Sequence, residues 1–102
     1  MHPLIENNRG AIARLCRLHG VHSLETFGSI LRDDFNAGVS DVDVLVEFES
    51  RAADSLSNFL DLKESLETLF RRSVDLVELR AIRNSRLRYH IEQSKSPIYT
   101  AA

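Results

Sequence analysis

Two aspartates, Asp41 and Asp43, have the spacing that most directly suggests chemistry in this chain. They stand two apart in an alternating apolar stretch, so in a strand their side chains share one side, ~6–7 Å apart. Carboxylates held that close repel each other unless a cation lies between them. Magnesium is the natural cation, because it binds one or two carboxylates together with waters and phosphate oxygens. The pair therefore predicts a magnesium site that also binds a phosphate-containing ligand.

A third carboxylate, Asp75, lies early in another apolar stretch. If the two strands are neighbours in a sheet, Asp75 reaches the same face as the pair. Three carboxylates can hold two metal ions, which stabilise the attacking and leaving oxygens of an in-line displacement at phosphorus. Glu47 and Glu78 continue the polar sides of the two stretches, and we interpret them as solvated.

A glycine-serine pair, Gly28-Ser29, follows a predicted strand and opens a turn. Glycine lets the backbone approach a phosphate closely, and its N–H groups can point at the phosphate. Arg32 lies three residues beyond Ser29, near enough in a helical turn to bind phosphate or pair with an aspartate. Taken singly, each feature is ordinary: a turn, a surface arginine, the solvated face of an edge strand. Their combination in this order favours a site.

The hydrophobic pattern indicates which elements position these residues. Helices are predicted over residues 4–19, 55–71 and 84–93. Strands are predicted over residues 21–27, 40–48, 74–79 and 96–100, and Pro97 restricts the last to a sheet edge. A short helical turn and two connections are predicted over residues 30–34, 35–39 and 51–54. This order predicts an α+β fold with a small mixed β-sheet covered by helices.

Bulk properties limit the classes of function. The 102 residues suit one domain, residues 1–102. A net charge of −2 argues against direct nucleic-acid binding, which usually draws on a positive surplus. The single cysteine, Cys16, cannot form an internal disulfide. The histidines lack the spacing of a zinc site. No apolar run approaches the ~20 residues that span a bilayer. We expect a cytoplasmic protein without a membrane partner, and homo-oligomerisation stays open.

At this point the residues resemble a known family. Gly28-Ser29, Arg32 and the run Ser40-Asp41-Val42-Asp43 inside an apolar strand are similar to the polymerase-beta-like nucleotidyltransferase superfamily. The short length resembles its minimal nucleotidyltransferases, and Val74-Asp75-Leu76-Val77 resembles the strand of the third aspartate. The resemblance covers nearly the whole chain and implies the polymerase-beta-like nucleotidyltransferase fold.

The resemblance also implies roles for individual residues. ATP would be the substrate, and the nucleotide would be bound by Gly28, Ser29, Arg32 and Ser40. The catalytic and metal-binding residues, holding two magnesium ions, would be Asp41, Asp43 and Asp75. Asp75 would bind the second metal and help to deprotonate the acceptor hydroxyl. One position departs from the family pattern: Asp33 follows Arg32 where many relatives have glycine, which adds a negative charge near the triphosphate.

A partner protein is implied as well. Minimal nucleotidyltransferases are often encoded beside a helical HEPN-domain protein, with the nucleotidyltransferase as the antitoxin of a toxin–antitoxin pair. In some pairs AMP is transferred from ATP to a tyrosine of the toxin. Two alternatives stay open: an antitoxin that neutralises its partner by contact alone, and a transferase for a small molecule such as an aminoglycoside. Intact Asp41, Asp43 and Asp75 favour the enzyme, whereas Asp33 favours the contact-only antitoxin.

Overall fold

The structure is a computed structural model that describes residues 2–28, 41–49 and 56–101. Its four α-helices are α1 Pro3–Glu6, α2 Arg9–Leu18, α3 Leu56–Phe70 and α4 Ser85–Ser94, and a 3₁₀ turn covers Leu79–Ala81. Its four strands are β1 Val21–Phe27, β2 Val42–Phe48, β3 Val74–Glu78 and β4 Ser96–Thr100. The predicted turn and loops over residues 30–34, 35–39 and 51–54 lie outside the described residues.

The four strands form one mixed sheet in the order β3-β2-β1-β4. β1 pairs antiparallel with β2 and with β4, whereas β2 and β3 are parallel. The parallel pair is possible because the long helix α3 connects the two strands. β4 lies at an edge, as Pro97 predicts. The predicted α+β class, with a small mixed sheet and helices, is confirmed.

One face of the sheet forms the core. Val42, Val44 and Val46 of β2 are fully buried and cluster with residues of α2 and α3. The helices contribute Ile12 and Cys16 from α2, and Leu62, Leu66 and Phe70 from α3. The helices are joined by a side-chain pair: Asn58 donates from Nδ2 to the carbonyl of His19 at 2.7 Å, and its Oδ1 lies 2.8 Å from His19 Nδ1.

The other face of the sheet is less covered. On β2 it carries Asp43, Leu45 and Glu47, of which Leu45 is buried while the two carboxylates are half-buried. The end of α4 is attached to this face, since Lys95 Nζ lies 3.1 Å from the Glu25 carboxylate of β1. The two sides of β2 therefore differ in chemistry as well as in burial.

The predicted first helix, residues 4–19, is two helices in the structure, which corrects the single-helix interpretation. The break falls at Asn7 and Asn8. The Asn8 side chain donates to the carbonyl of Leu4 at 2.7 Å, and the Asn8 backbone leaves helical angles at φ −118°. Asparagine competes in this way for backbone hydrogen bonds, and periodicity does not register the competition.

The other element boundaries differ from prediction by one residue or fall at the edge of the described ranges. Asp41 directly precedes β2 rather than lying within it, and Leu79 opens the 3₁₀ turn instead of ending β3. Asn84 caps α4 by accepting the N–H groups of Arg86 and Leu87 at 2.9 and 3.1 Å. None of the helices in the described part of the chain is both long and apolar enough to cross a membrane.

Candidate active site

Asp43 and Asp75 come together across the parallel strands. β2 and β3 pair with Val42 opposite Val74 and Asp43 opposite Asp75. Neighbouring strands lie about 4.8 Å apart, so residues in register on one face have adjacent side chains. The partners on either side, Val42, Val44, Val74 and Leu76, belong to the core. The core therefore fixes the register, and the register places both aspartates on the less covered face.

Asp41 stands at the start of this arrangement. It directly precedes β2 and is exposed, whereas Asp43 is half-buried and Asp75 exposed. The N–H of Val42, the next residue, donates to the carbonyl of Ser73 at 3.1 Å. The beginnings of β2 and β3 are thus held together where the three carboxylates occur.

Gly28 lies directly against Asp43. Phe27, the last residue of β1, is opposite Asp43, and Gly28 then turns with φ +73°, in the left-handed region that favours glycine. A Cβ at this position would collide with the Asp43 carboxylate oxygen Oδ2 and would lie 3.2 Å from its Cγ. The sequence predicted a glycine for phosphate approach; the structure adds that only glycine leaves room for the Asp43 carboxylate.

Glu67 is a residue that sequence reasoning missed. Its carboxylate accepts the backbone N–H of Val74 at 3.0 Å, one residue before Asp75, and Lys63 Nζ lies 3.3 Å from the same oxygen. The Val74 N–H is the main cause that lowers the pKa of Glu67 below its ordinary value, and Lys63 lowers the pKa further. Glu67 thus holds the start of β3 in place. In the sequence it is one of several polar residues on an amphipathic helix, so no local signal marks it.

Three predicted nucleotide-binding residues, Ser29, Arg32 and Ser40, lie outside the described residues, as does Asp33.

Glu78 is described, and its position in the sheet limits the role it can have. It pairs in register with Val46, on the side of the sheet that carries the core, and not on the side of Asp43 and Asp75. Glu78 therefore cannot substitute for Asp75 as a ligand beside Asp43, whereas Glu47 shares the face of Asp43.

The donor chemistry fits a hard divalent cation. Magnesium takes carboxylate oxygens, waters and substrate phosphates and needs only one or two carboxylates. Within residues 2–28, 41–49 and 56–101, no three His, Cys, Asp or Glu side chains converge closely enough to hold a metal ion by themselves. Asp43 and Asp75, which are in register on one face, would supply carboxylate ligands, and the oxygens of a bound triphosphate would complete the shell of a magnesium ion.

Other features of the described chain offer no competing chemistry. Burial raises the pKa of the Cys16 thiol to about 12, so it is a core residue and not a nucleophile. A groove of about 590 Å³ runs between α2 and α3 and is lined by residues such as Ala11, Leu15 and Leu69. This groove lies on the helical side of the sheet, away from the carboxylates, and contains none of the residues predicted for the site.

The mixed sheet has a nucleotidyltransferase-type fold, and the three aspartates at the start of its parallel strands, with Gly28 packed against Asp43, form the candidate site. Residues 9–98 match the sequence model of the nucleotidyltransferase domain family. The chain belongs to this family of enzymes, and the resemblance found from the sequence is confirmed.

Individual relatives agree with this assignment. The chain is 36% identical over 73 residues, 72% of each chain, to a candidate protein adenylyltransferase of Methanocaldococcus jannaschii. Its fold is similar to the solved structure of a candidate minimal nucleotidyltransferase, with a TM-score of 0.76, 33% identity and 91% of each chain covered. A structure of tri-AMPylated HEPN toxin in complex with MNT antitoxin, from Shewanella oneidensis, matches with a TM-score of 0.65 at 23% identity. That match covers 95% of this chain and 73% of the other and shows the shared fold.

Proposed function

We propose that this protein transfers AMP from ATP to a hydroxyl group of a partner protein, as the antitoxin of a pair with a HEPN-domain toxin. The observation that carries the proposal is the register that sets Asp43 opposite Asp75, with Gly28 against the Asp43 carboxylate. The names of the relatives supply the substrate class: one relative is a candidate protein adenylyltransferase, and one similar solved structure contains an AMPylated HEPN toxin.

The reaction is a displacement at the α-phosphorus of ATP. The acceptor oxygen forms a bond to that phosphorus, the bond to the bridging oxygen of the β-phosphate breaks, and pyrophosphate leaves. Asp41 and Asp43, with Asp75, are the residues that would hold magnesium, which would neutralise charge developing on the transferred group. The proton of the acceptor hydroxyl passes to Asp75, whose exposed side chain can reach an acceptor arriving from solution.

The nucleotide would be bound by Gly28 and by residues that follow it in the chain. We assign Ser29, Arg32 and Ser40 to the triphosphate, because their hydroxyl and guanidinium groups suit phosphate oxygens. Gly28, in its left-handed conformation, lies directly beside Asp43. A phosphate held there would lie next to the carboxylate that binds the metal, which is the positioning on which phosphoryl-transfer catalysis mainly depends.

The first test measures binding. Magnesium with ATP should raise the melting temperature of the protein by mass action, and magnesium alone should do little. Asp43→Asn should abolish the shift that ATP and magnesium cause and leave the unliganded fold intact. A matched control, Asp61→Asn on the exposed side of α3, should keep the shift. An Asp43→Asn protein that responds like wild type would remove Asp43 from the metal site.

The second test measures transfer. The protein is incubated with its HEPN partner, ATP and magnesium, and the partner's mass is compared before and after. An increase of one or more adenylyl groups is the expected result. If none of the four ribonucleoside triphosphates yields an adduct while the partner is still silenced, the contact-only antitoxin is the correct function instead.

A further inference from the structure

Helix α4 is unusually exposed for an element of such a small domain. It buries only Ile91, whereas each of residues 85–90 is exposed. Leu87 and Tyr89 are 48% and 61% exposed, although both side chains are largely apolar. An isolated ten-residue helix is marginally stable in water, so packing normally stabilises helices of this length. Here the stabilising contacts are at the ends: Asn84 caps the start, and the Lys95–Glu25 ion pair holds the chain just beyond the end.

Positive charge is concentrated on α4 and on the segment before it. Four arginines stand within nine positions, and no acidic residue occurs between Leu79 and Ile91. These arginines are Arg80, Arg83, Arg86 and Arg88, which together with Leu87 and Tyr89 we call the arginine surface. Removing their four charges from the net charge of −2 leaves −6 for the rest of the chain. The arginine surface is therefore a local basic region on an otherwise acidic protein.

The charges of the arginine surface are not used within the described fold. All four arginines are exposed, and none of their guanidinium groups makes a hydrogen bond or ion pair with residues 2–28, 41–49 or 56–101. Arg9 and Lys95, in contrast, are paired within the described residues: Arg9 with Glu6 at 2.9 Å, and Lys95 with Glu25 and Glu92 at 3.1 Å. Exposed guanidinium forks that bind no carboxylate among the described residues are well suited to carboxylates on another molecule.

The position of α4 connects the arginine surface to the site. Lys95 follows the helix and binds Glu25, which lies two residues before Phe27 on the same face of the sheet. Phe27 in turn is opposite Asp43. The end of α4 is therefore attached to the face of the sheet that carries Asp43 and Asp75.

We propose that the arginine surface docks an acidic patch on the protein that accepts the nucleotidyl group, and so presents the acceptor hydroxyl to the carboxylate face. This inference rests on the proposed function. Arginine and tyrosine are enriched at the energetic centres of protein interfaces, and Leu87 adds apolar area beside them. A long polyanion such as RNA is disfavoured, because the rest of the chain is strongly acidic. A compact acidic patch on a protein can contact arginines of this exposed helix without approaching that remainder.

The test uses a labelled short copolymer of glutamate and tyrosine, of the size of a compact acidic patch, as the acidic acceptor probe, with binding to the full chain followed by fluorescence anisotropy. Arg86→Gln/Arg88→Gln should weaken binding about tenfold, since two charge-assisted contacts are lost. The matched control Arg14→Gln/Arg17→Gln removes the same charge from exposed positions of α2 and should change binding less than twofold. Salt of about 1 M, where the Debye length is about 3 Å, should abolish most wild-type binding.

Each outcome decides the proposal. Equal losses in the two double variants, or no copolymer binding by wild type, would overturn it. Tighter binding of a single-stranded RNA of similar length, lost in Arg86→Gln/Arg88→Gln, would overturn it in favour of a nucleic-acid partner. Failure of the proposed function gives a different result. In that case the chain still binds the copolymer through α4, but ATP and magnesium do not raise its melting temperature. The docking surface would then stand and the enzymatic role would not. Unchanged melting temperatures of both variants establish that they fold.

Discussion

On one face of the sheet Val42, Val44 and Val46 are completely buried under helices, whereas the opposite face of the same strand carries Asp43, Leu45 and Glu47. A strand alternates its side chains, so the two faces share one backbone and one register. The apolar face supplies the free energy that fixes this register, and the register determines which carboxylates become neighbours. Stability and chemistry are thus separated on the two sides of β2, and substitutions on each side should produce different failures.

The largest effect is expected on the carboxylate face, from Asp75→Asn. The substitution preserves size but removes the charge that would accept the hydroxyl proton, and such catalysis contributes roughly 10²–10⁴-fold. We expect kcat for transfer to fall by that factor, while ATP binding, partner binding and melting temperature stay near wild type. Steady-state kinetics with the partner protein separate kcat from KM. Wild-type kcat in Asp75→Asn would make Asp75 a surface carboxylate and direct attention to Glu47, on the face of Asp43.

The apolar face should respond in stability instead. Leu66 of α3 is fully buried in the core. Leu66→Ala should lower the free energy of unfolding by about 2–5 kcal/mol, because it removes transfer free energy and leaves a cavity. Urea denaturation measures this loss, and transfer activity of the remaining folded protein should be close to wild type. A large fall in activity without loss of stability would contradict the separation of the two faces.

Gly28 should affect both stability and ATP binding, because its backbone conformation and its contact with Asp43 both require glycine. Gly28→Ala should destabilise the protein by at least about 1–2 kcal/mol, the cost of a left-handed residue with a Cβ, and should also weaken ATP binding by displacing the Asp43 carboxylate. Gly10 provides the control. It lies in α2 with nothing within 4 Å of an added Cβ, so Gly10→Ala should stabilise the protein by about 0.5–1 kcal/mol. Equal effects of the two substitutions on the melting temperature would show that neither the backbone conformation of Gly28 nor its contact with Asp43 requires glycine.

The smallest effect is expected from Glu67 of α3, whose carboxylate accepts the N–H of Val74, the residue before Asp75. Because its folded pKa lies below 4.5, its ionised form stabilises the fold above that pH, and the contribution is lost as pH falls through the folded pKa. Glu67→Gln should cost less than about 1 kcal/mol at neutral pH, since the side chain is 32% exposed and solvent screens the charge.

The pH dependence distinguishes this role from packing alone. The stability difference between wild type and Glu67→Gln should shrink when urea denaturation is repeated well below pH 4.5. Glu64→Gln removes the same charge from an exposed position of α3 and should stay within about 0.5 kcal/mol of wild type. A difference between wild type and Glu67→Gln that is the same at both pH values would mean that the carboxylate charge does not hold β3.

The sequence by itself determined the local elements and the identity of the carboxylates. Alternation of apolar and polar residues is a property of neighbouring positions, so it indicated β2 and placed Asp41 and Asp43 on one side. The helical pattern likewise indicated α3 and α4, and Pro97 indicated an edge strand. These patterns need no partner, which is why they can be read from the chain alone. The break at Asn8 escaped them because a side-chain hydrogen bond competes with the helix there.

Only the tertiary structure decided which of these residues meet. Asp43 and Asp75 are 32 positions apart, and their pairing depends on the packing of α3 and on the register of two parallel strands. The same packing determines three other long-range features: the contact of Gly28 with Asp43, the hydrogen bond from Val74 N–H to Glu67, and the exposure of the arginine surface. A local pattern specifies which face a side chain takes, but not which strand lies beside it, because strand pairing is selected by the burial of the whole core.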